Sequence, residues 1–98
     1  MDTAPVIELA GVCKTYHSGE VTTPVLFDIS FRIRRGEFVA IVGGSGSGKT
    51  TLLNIMGLLD RPSSGQVLVE GREAGGLDEL GRAEVRRERL GFIFQFHY

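Results

Sequence analysis

Gly43-Gly44-Ser45-Gly46-Ser47-Gly48-Lys49-Thr50-Thr51 (GGSGSGKTT) follows the apolar run Phe38-Val39-Ala40-Ile41-Val42 and leads into Leu52-Leu53-Asn54-Ile55-Met56. A strand, a glycine-rich loop, Lys-Thr and a helix form the arrangement that holds a nucleoside triphosphate by its phosphates. Gly43, Gly48, Lys49 and Thr50 occupy the fixed positions of G-x-x-x-x-G-K-[ST]. The remaining small residues let the main chain curl round an anion with its N–H groups inward. Lys49 can reach the β- and γ-phosphates as a point charge, and the Thr50 hydroxyl can ligate Mg²⁺. The helix that follows adds unpaired N–H groups and the positive end of its dipole.

The alternative is a flexible glycine-serine linker holding a lysine by accident. A chain with 14 Gly and two lysines, Lys14 and Lys49, matches the four fixed positions in under roughly 1% of shuffled versions. A buried strand before the loop and an amphipathic run after it are independent requirements. The linker reading therefore loses.

Size and composition narrow the rest. Ninety-eight residues allow at most one small domain, and 42% apolar residues are ordinary for a globular core. A net charge of −1 and a pI near 6.1 give no electrostatic reason to expect nucleic acid as a partner. Cys13 is the single cysteine, so no internal disulfide can form and a reducing compartment is expected. The opening MDTAPVIEL lacks the basic flank and apolar core of a signal peptide, and no apolar run approaches the ~18 residues of a bilayer span. Any membrane connection is thus expected to run through a partner.

Taken in order, Val6 to Lys14 reads as a strand burying Ile7, Leu9 and Val12, with Gly11 as a bulge or bend. Thr15 and Tyr16 close it, and His17 to Pro24 reads as a polar loop. Val25 to Arg34 alternates: Phe27, Ile29, Phe31 and Ile33 share one face, Asp28, Ser30, Arg32 and Arg34 the other. That is a half-solvated strand on the antiparallel side of a mixed sheet. Phe38 to Val42 does not alternate and suits a central parallel strand. Leu52, Ile55, Met56 and Leu59 make one helical stripe, which Asp60 to Gly65 stops. Gln66 to Glu70 is a short strand, Ala74 to Asp78 a loop, and Leu80 to Leu90 a charged surface helix with Glu84 and Arg87 three apart. Phe92 to Phe94 begins another buried strand that reaches Gln95.

A phosphate loop by itself fits GTPases, small-molecule kinases, helicases and transport ATPases. Tyr16 at a strand end upstream, Gln95 at a strand end downstream and a half-exposed sheet before the loop narrow the choice. With IRRGEFVAIVGGSGSGKTTLLNIMGLLDRPSSGQVLVEGRE and RRERLGFIFQ, the chain resembles the first part of an ABC transporter ATPase subunit. It is most similar to the lipoprotein-release and macrolide-export type, from Ile7 to Tyr98. The resemblance implies an α/β fold: a phosphate-loop NTPase core with a preceding antiparallel β subdomain, truncated after the strand that carries Gln95. Residues 1–98 would then be part of one ATP-binding domain.

From the residues alone, Tyr16 reads first as an aromatic packing on its neighbours and Gln95 as a polar strand end. The resemblance implies instead that Tyr16 stacks on adenine and that Gln95 completes the Mg²⁺ shell and senses the γ-phosphate. It implies ATP and Mg²⁺ as cofactors, with Gly43 to Thr51 on the phosphates and Thr50 and Gln95 on the metal. It further implies a transmembrane permease partner, a second ATPase subunit across a nucleotide sandwich, and a peripheral place on the cytoplasmic face of the membrane. Gly44 departs from the family, which commonly has proline there. The family's Leu-Ser-Gly-Gly-Gln-like signature, catalytic glutamate and switch histidine are not in this sequence. Asp60, Glu70, Glu73, Asp78 and Glu79 fall in or beside turns, so no catalytic base is expected within the chain. Binding without turnover and a tendency of these residues by themselves to associate through uncovered strands are the corresponding expectations. Another phosphate-loop NTPase, such as a nucleotide kinase or GTPase, a non-catalytic nucleotide-binding module, and a soluble ABC ATPase of repair or translation remain as alternatives.

Overall fold

The computed structural model describes residues 5–36 and 48–89. The expected strands at 38–42 and 92–94, the loop positions 43–47 and Gln95 lie outside them. The described elements are β1 (Ile7–Ser18), β2 (Val21–Ile33), α1 (Lys49–Met56), β3 (Ser64–Val69), β4 (Arg72–Glu73) and α2 (Glu79–Arg89). Their sheet runs in the order β2-β1-β3-β4 with antiparallel neighbours throughout. This is the expected antiparallel β subdomain.

Its first hairpin is longer than the polar composition suggests. The expected loop from His17 to Pro24 is mostly strand, because Tyr16 pairs with Thr23, His17 with Thr22 and Ser18 with Val21 across a two-residue turn. Ladder hydrogen bonds satisfy the backbone there, so polar side chains on both faces are tolerated. Pro24 fits because β2 ends the described sheet and the register shifts beside it, between Lys14 and Thr15.

Bulges also break the expected alternation of β2. Gly11 (φ 61) and Asp28 (φ 47) both adopt left-handed backbone, and the register shifts on either side of Val12. Leu26 turns into the core while Phe27 is 67% exposed, so Phe27 leaves the face that Ile29, Phe31 and Ile33 share. The Gly11 N–H donates to Ser30 Oγ at 2.8 Å and the Asp28 N–H to Cys13 Sγ at 3.3 Å. These bonds occupy groups that the interrupted ladder leaves over.

Ile7, Leu9 and Val12 of β1 are buried as expected, with Val67 and Val69 of β3 beside them and Ile55 and Met56 of α1 above. The fourth member of the helical stripe needs correction. Gly57 ends α1, Leu58 takes φ 58, and the Leu58 and Leu59 N–H groups donate to Ile55 O (3.1 Å) and Asn54 O (2.8 Å). That pair of bonds is a Schellman cap with leucine in the position usually given to glycine. Leu58 is fully buried while Leu59 is 45% exposed. Left-handed backbone costs a leucine about 1–2 kcal/mol, and burying its side chain returns about 1.5–3 kcal/mol.

Beyond β3, residues 70 and 71 make a tight turn into β4, a strand too short to read from sequence. Helix α2 is not wholly a surface helix. Arg82 is buried, pairing with Glu79 at 2.7 Å, and Arg86 Nη1 donates to Leu58 O at 2.8 Å. Among the described residues no helix is long and apolar enough to cross a membrane.

At Gly65 the backbone of β3 lies directly against that of β1. The Gly65 φ is 87, and a Cβ there would lie 2.7 Å from Val12 Cα, against the backbone of Gly11. Gly65→Ala should therefore lower unfolding free energy by about 2–4 kcal/mol. At Gly71 (φ 81) a Cβ would meet nothing within 4 Å, so Gly71→Ala should lose only about 1 kcal/mol. Urea denaturation of the two variants of the intact protein measures the difference.

Candidate functional site

Helix α1 starts without help from its own side chains. Gly48 is its N-cap with φ 89; among the described residues no side chain caps the first turn, and no acidic residue lies in it. Helices usually begin with Ser, Thr, Asp or Asn on their free N–H groups, with acidic residues near the positive dipole end. Here the first helical residue is Lys49, a cation where the dipole disfavours one. Both departures resolve if an anion binds at this end.

The strand behind it decides which residue can stand at position 48. A Cβ on Gly48 would lie 3.1 Å from Val25 Cγ1 and 3.2 Å from both Leu26 Cδ2 and Val25 O. Glycine at position 48 meets β2 this closely without displacing Val25 or Leu26, and it accepts the left-handed φ. The Gly48 carbonyl accepts from the Leu52 N–H at 2.9 Å, so the helix begins at once. Lys49 and Thr51 are half-buried and Thr50 is exposed in the first turn.

Tyr16, far upstream in the chain, comes to this same helix turn. Its hydroxyl lies 3.3 Å from Thr51 Oγ1 and donates to Asp60 Oδ2 at 3.4 Å. Thr51 can supply its own proton to the tyrosine oxygen while the tyrosine proton goes to the carboxylate. The ring is 41% exposed, and Lys14 Nζ stands 5.1 Å from its centroid. Next to it in β1, Thr15 gives its N–H to Ser63 Oγ (2.9 Å) and accepts from that hydroxyl (3.3 Å). So Tyr16, Gly48, Lys49, Thr50 and Thr51 are brought together; Gly43, Gly44, Ser45, Gly46, Ser47 and Gln95 lie outside the described residues.

Two neighbours were not legible as site residues. Asp60 follows α1 in a bend, where sequence suggests only a turn residue set apart from the loop. The Schellman cap turns the chain there, and the Asp60 N–H donates to Asn54 O at 3.2 Å. Its Oδ1 then accepts from Lys14 Nζ (3.2 Å) and the Arg61 N–H (2.8 Å). Both carboxylate oxygens are engaged. For Lys14 the one sequence signal is its place two residues before Tyr16, on the same face of a strand.

A protein-family model described as ABC transporter matches residues 26–98. Among curated proteins, the chain is 50% identical over 94 residues to the lipoprotein-releasing system ATP-binding protein LolD of Anaeromyxobacter dehalogenans, covering 96% of this chain and 39% of that one. It is 54% identical over 96 residues to the macrolide export ATP-binding/permease protein MacB of Sodalis glossinidius, covering 98% of this chain and 14% of that one. The chain thus spans about two fifths of the LolD length and a smaller part of MacB. A solved dimer of the ATP-binding cassette MJ0796, in a post-hydrolysis state with ADP and Pi, superposes with a TM-score of 0.84 at 43% identity, covering 91% of this chain and 38% of that one. CbiO1 from Clostridium perfringens, part of the ABC transporter complex CbiONQ, gives a TM-score of 0.70 at 29% identity, covering 85% of this chain and 32% of that one.

Gly48→Ala should push the start of α1 off β2. Nucleotide affinity of the intact protein, measured by calorimetry, should fall at least about tenfold, since the clash and the strained φ each cost about 1–3 kcal/mol. Unchanged affinity would mean that the close approach at Val25 does not shape the site.

Proposed function

Since the chain belongs to the ABC transporter family, we propose that it is the ATP-binding part of a transporter ATPase that couples ATP hydrolysis to export or lipoprotein release through a transmembrane partner. One observation carries this reading: an uncapped, acid-free helix start with Lys49 at its head and Tyr16 beside it. The names of the LolD and MacB relatives support the direction of transport.

Residues 43–51 wrap the phosphates, the α1 dipole and Lys49 hold the β- and γ-phosphate charge, and Tyr16 offers its ring to adenine. Thr50 and Gln95 would hold Mg²⁺, which when bound neutralises charge between the outer phosphates. The exposed position of Thr50 in the first turn supports that role. Asp60, engaged at both oxygens, is no base for water. These 98 residues therefore bind ATP without turning it over by themselves; hydrolysis takes groups supplied elsewhere in the protein or by a second ATPase subunit. The dimeric MJ0796 relative supports the second subunit, and the permease named in MacB supports a membrane partner. The protein would work on the cytoplasmic face of the membrane that holds that partner.

Steady-state phosphate release from the intact protein should exceed that of Lys49→Ala, whose ATP affinity should drop about 10- to 100-fold with loss of charge-assisted hydrogen bonds. The purified 98-residue chain should release no more phosphate than its own Lys49→Ala variant. A preference for GTP over ATP would contradict the adenine role of Tyr16 and favour a GTPase.

A further inference from the structure

We propose that Lys14 and Asp60 are positioning residues for the adenine platform: they clamp the Tyr16 ring so that one face alone receives the base. This rests on Tyr16 being that platform.

A tyrosine exposed to 41% is not held by packing alone. Immobilising a free side chain costs conformational entropy, and a stacking ligand must supply it if the protein does not. Here the protein does. Asp60 Oδ2 accepts from the Tyr16 hydroxyl at 3.4 Å, fixing the far end of the ring. Lys14 Nζ stands 5.1 Å from the ring centroid and so occupies one face by a cation–π contact. Only the opposite face remains for a purine.

The clamp is itself braced. Lys14 Nζ donates to Asp60 Oδ1 (3.2 Å) and Arg61 O (2.8 Å), and its side chain is 13% exposed, unusual for a lysine. Desolvating an ammonium to that extent is unfavourable unless its donors are matched; these acceptors take two of its three N–H groups, and the ring face lies beside the ammonium as well. The Arg61 N–H holds Asp60 Oδ1 at 2.8 Å, while the Asp60 N–H binds Asn54 O, tying the carboxylate to the end of α1. The Tyr16 hydroxyl also reaches Thr51 Oγ1 at 3.3 Å in the first turn of that helix. Base platform and phosphate site are thereby set at one distance through a single rigid element. The side-chain hydrogen bonds and ring contact of Lys14 and Asp60 go to each other, Tyr16 and Arg61, and the Asp60 N–H goes to Asn54, so their effect should be confined to the base.

The test compares ATP with tripolyphosphate, which has the phosphates but no base, both with Mg²⁺, by calorimetry on the intact protein. Asp60→Ala and Lys14→Ala should each weaken ATP about 3- to 10-fold, the range of one aromatic stack, and leave tripolyphosphate unchanged. In a Tyr16→Ala background, Asp60→Ala should have no further effect on ATP. Asp60→Asn, which keeps an acceptor for the tyrosine but not the charge for Lys14, should fall between Asp60→Ala and wild type. If Asp60→Ala does not fold, Asp60→Asn and Lys14→Met carry the same comparison. Equal weakening of ATP and tripolyphosphate would overturn the proposal in favour of a general structural role, and so would unchanged ATP affinity in both single variants while Tyr16→Ala loses it. If Tyr16→Ala itself leaves ATP and tripolyphosphate as in wild type, the platform reading fails, and the clamp with it.

Discussion

Position 48 combines a left-handed backbone with a close approach to β2, which together favour glycine, and much of the site follows from that. The backbone there lies so close to Val25 of β2 that a methyl group would stand 3.1 Å from the valine side chain and 3.2 Å from its carbonyl oxygen. The start of α1 is thereby fixed to the same hairpin that carries Tyr16. A helix fixed at its start, with a lysine at its head and no acid in its first turn, has the charge pattern that suits an anion there. Sheet, helix start and tyrosine form one unit because glycine lets two backbones meet.

The far end of α1 performs a second alignment. Leu58 enters left-handed backbone and is buried, and the two Schellman bonds reverse the chain within a few residues. Asp60 is thus returned toward β1, where Lys14 and Tyr16 wait on one face of the strand. Arg86 of α2 donates to the Leu58 carbonyl, so the second helix is fastened to the same turn. A short helix of eight residues is marginal by itself; contacts at both of its ends hold it against the sheet and α2.

Local chemistry was legible in the sequence. The motif at 43–50 located the helix start, and period-two burial located Ile7, Leu9, Val67 and Val69. Tyr16 reached the site only through the family resemblance, since an aromatic at a strand end has commoner uses. What could not be read depends on backbone geometry. Asp28 takes a positive φ that no rule assigns to aspartate in a strand, and this moved Phe27 out of the core. Leu58 took the place expected of Leu59 for the same kind of reason, and Asp60 became a neighbour of Tyr16 only as a result. The polar residues of the β1–β2 hairpin resembled a loop because composition does not report ladder pairing.

The central claim is that ATP phosphates bind the N–H groups at the start of α1. Nuclear magnetic resonance of the ¹⁵N-labelled intact protein tests it most directly, by following the amide protons of Lys49, Thr50 and Thr51 as ATP with Mg²⁺ is added. Phosphate hydrogen bonds should shift those amides strongly downfield and protect them from exchange, with ATP and tripolyphosphate alike. If they stay unchanged at saturating ATP while other amides move, the nucleotide binds elsewhere and the account is wrong.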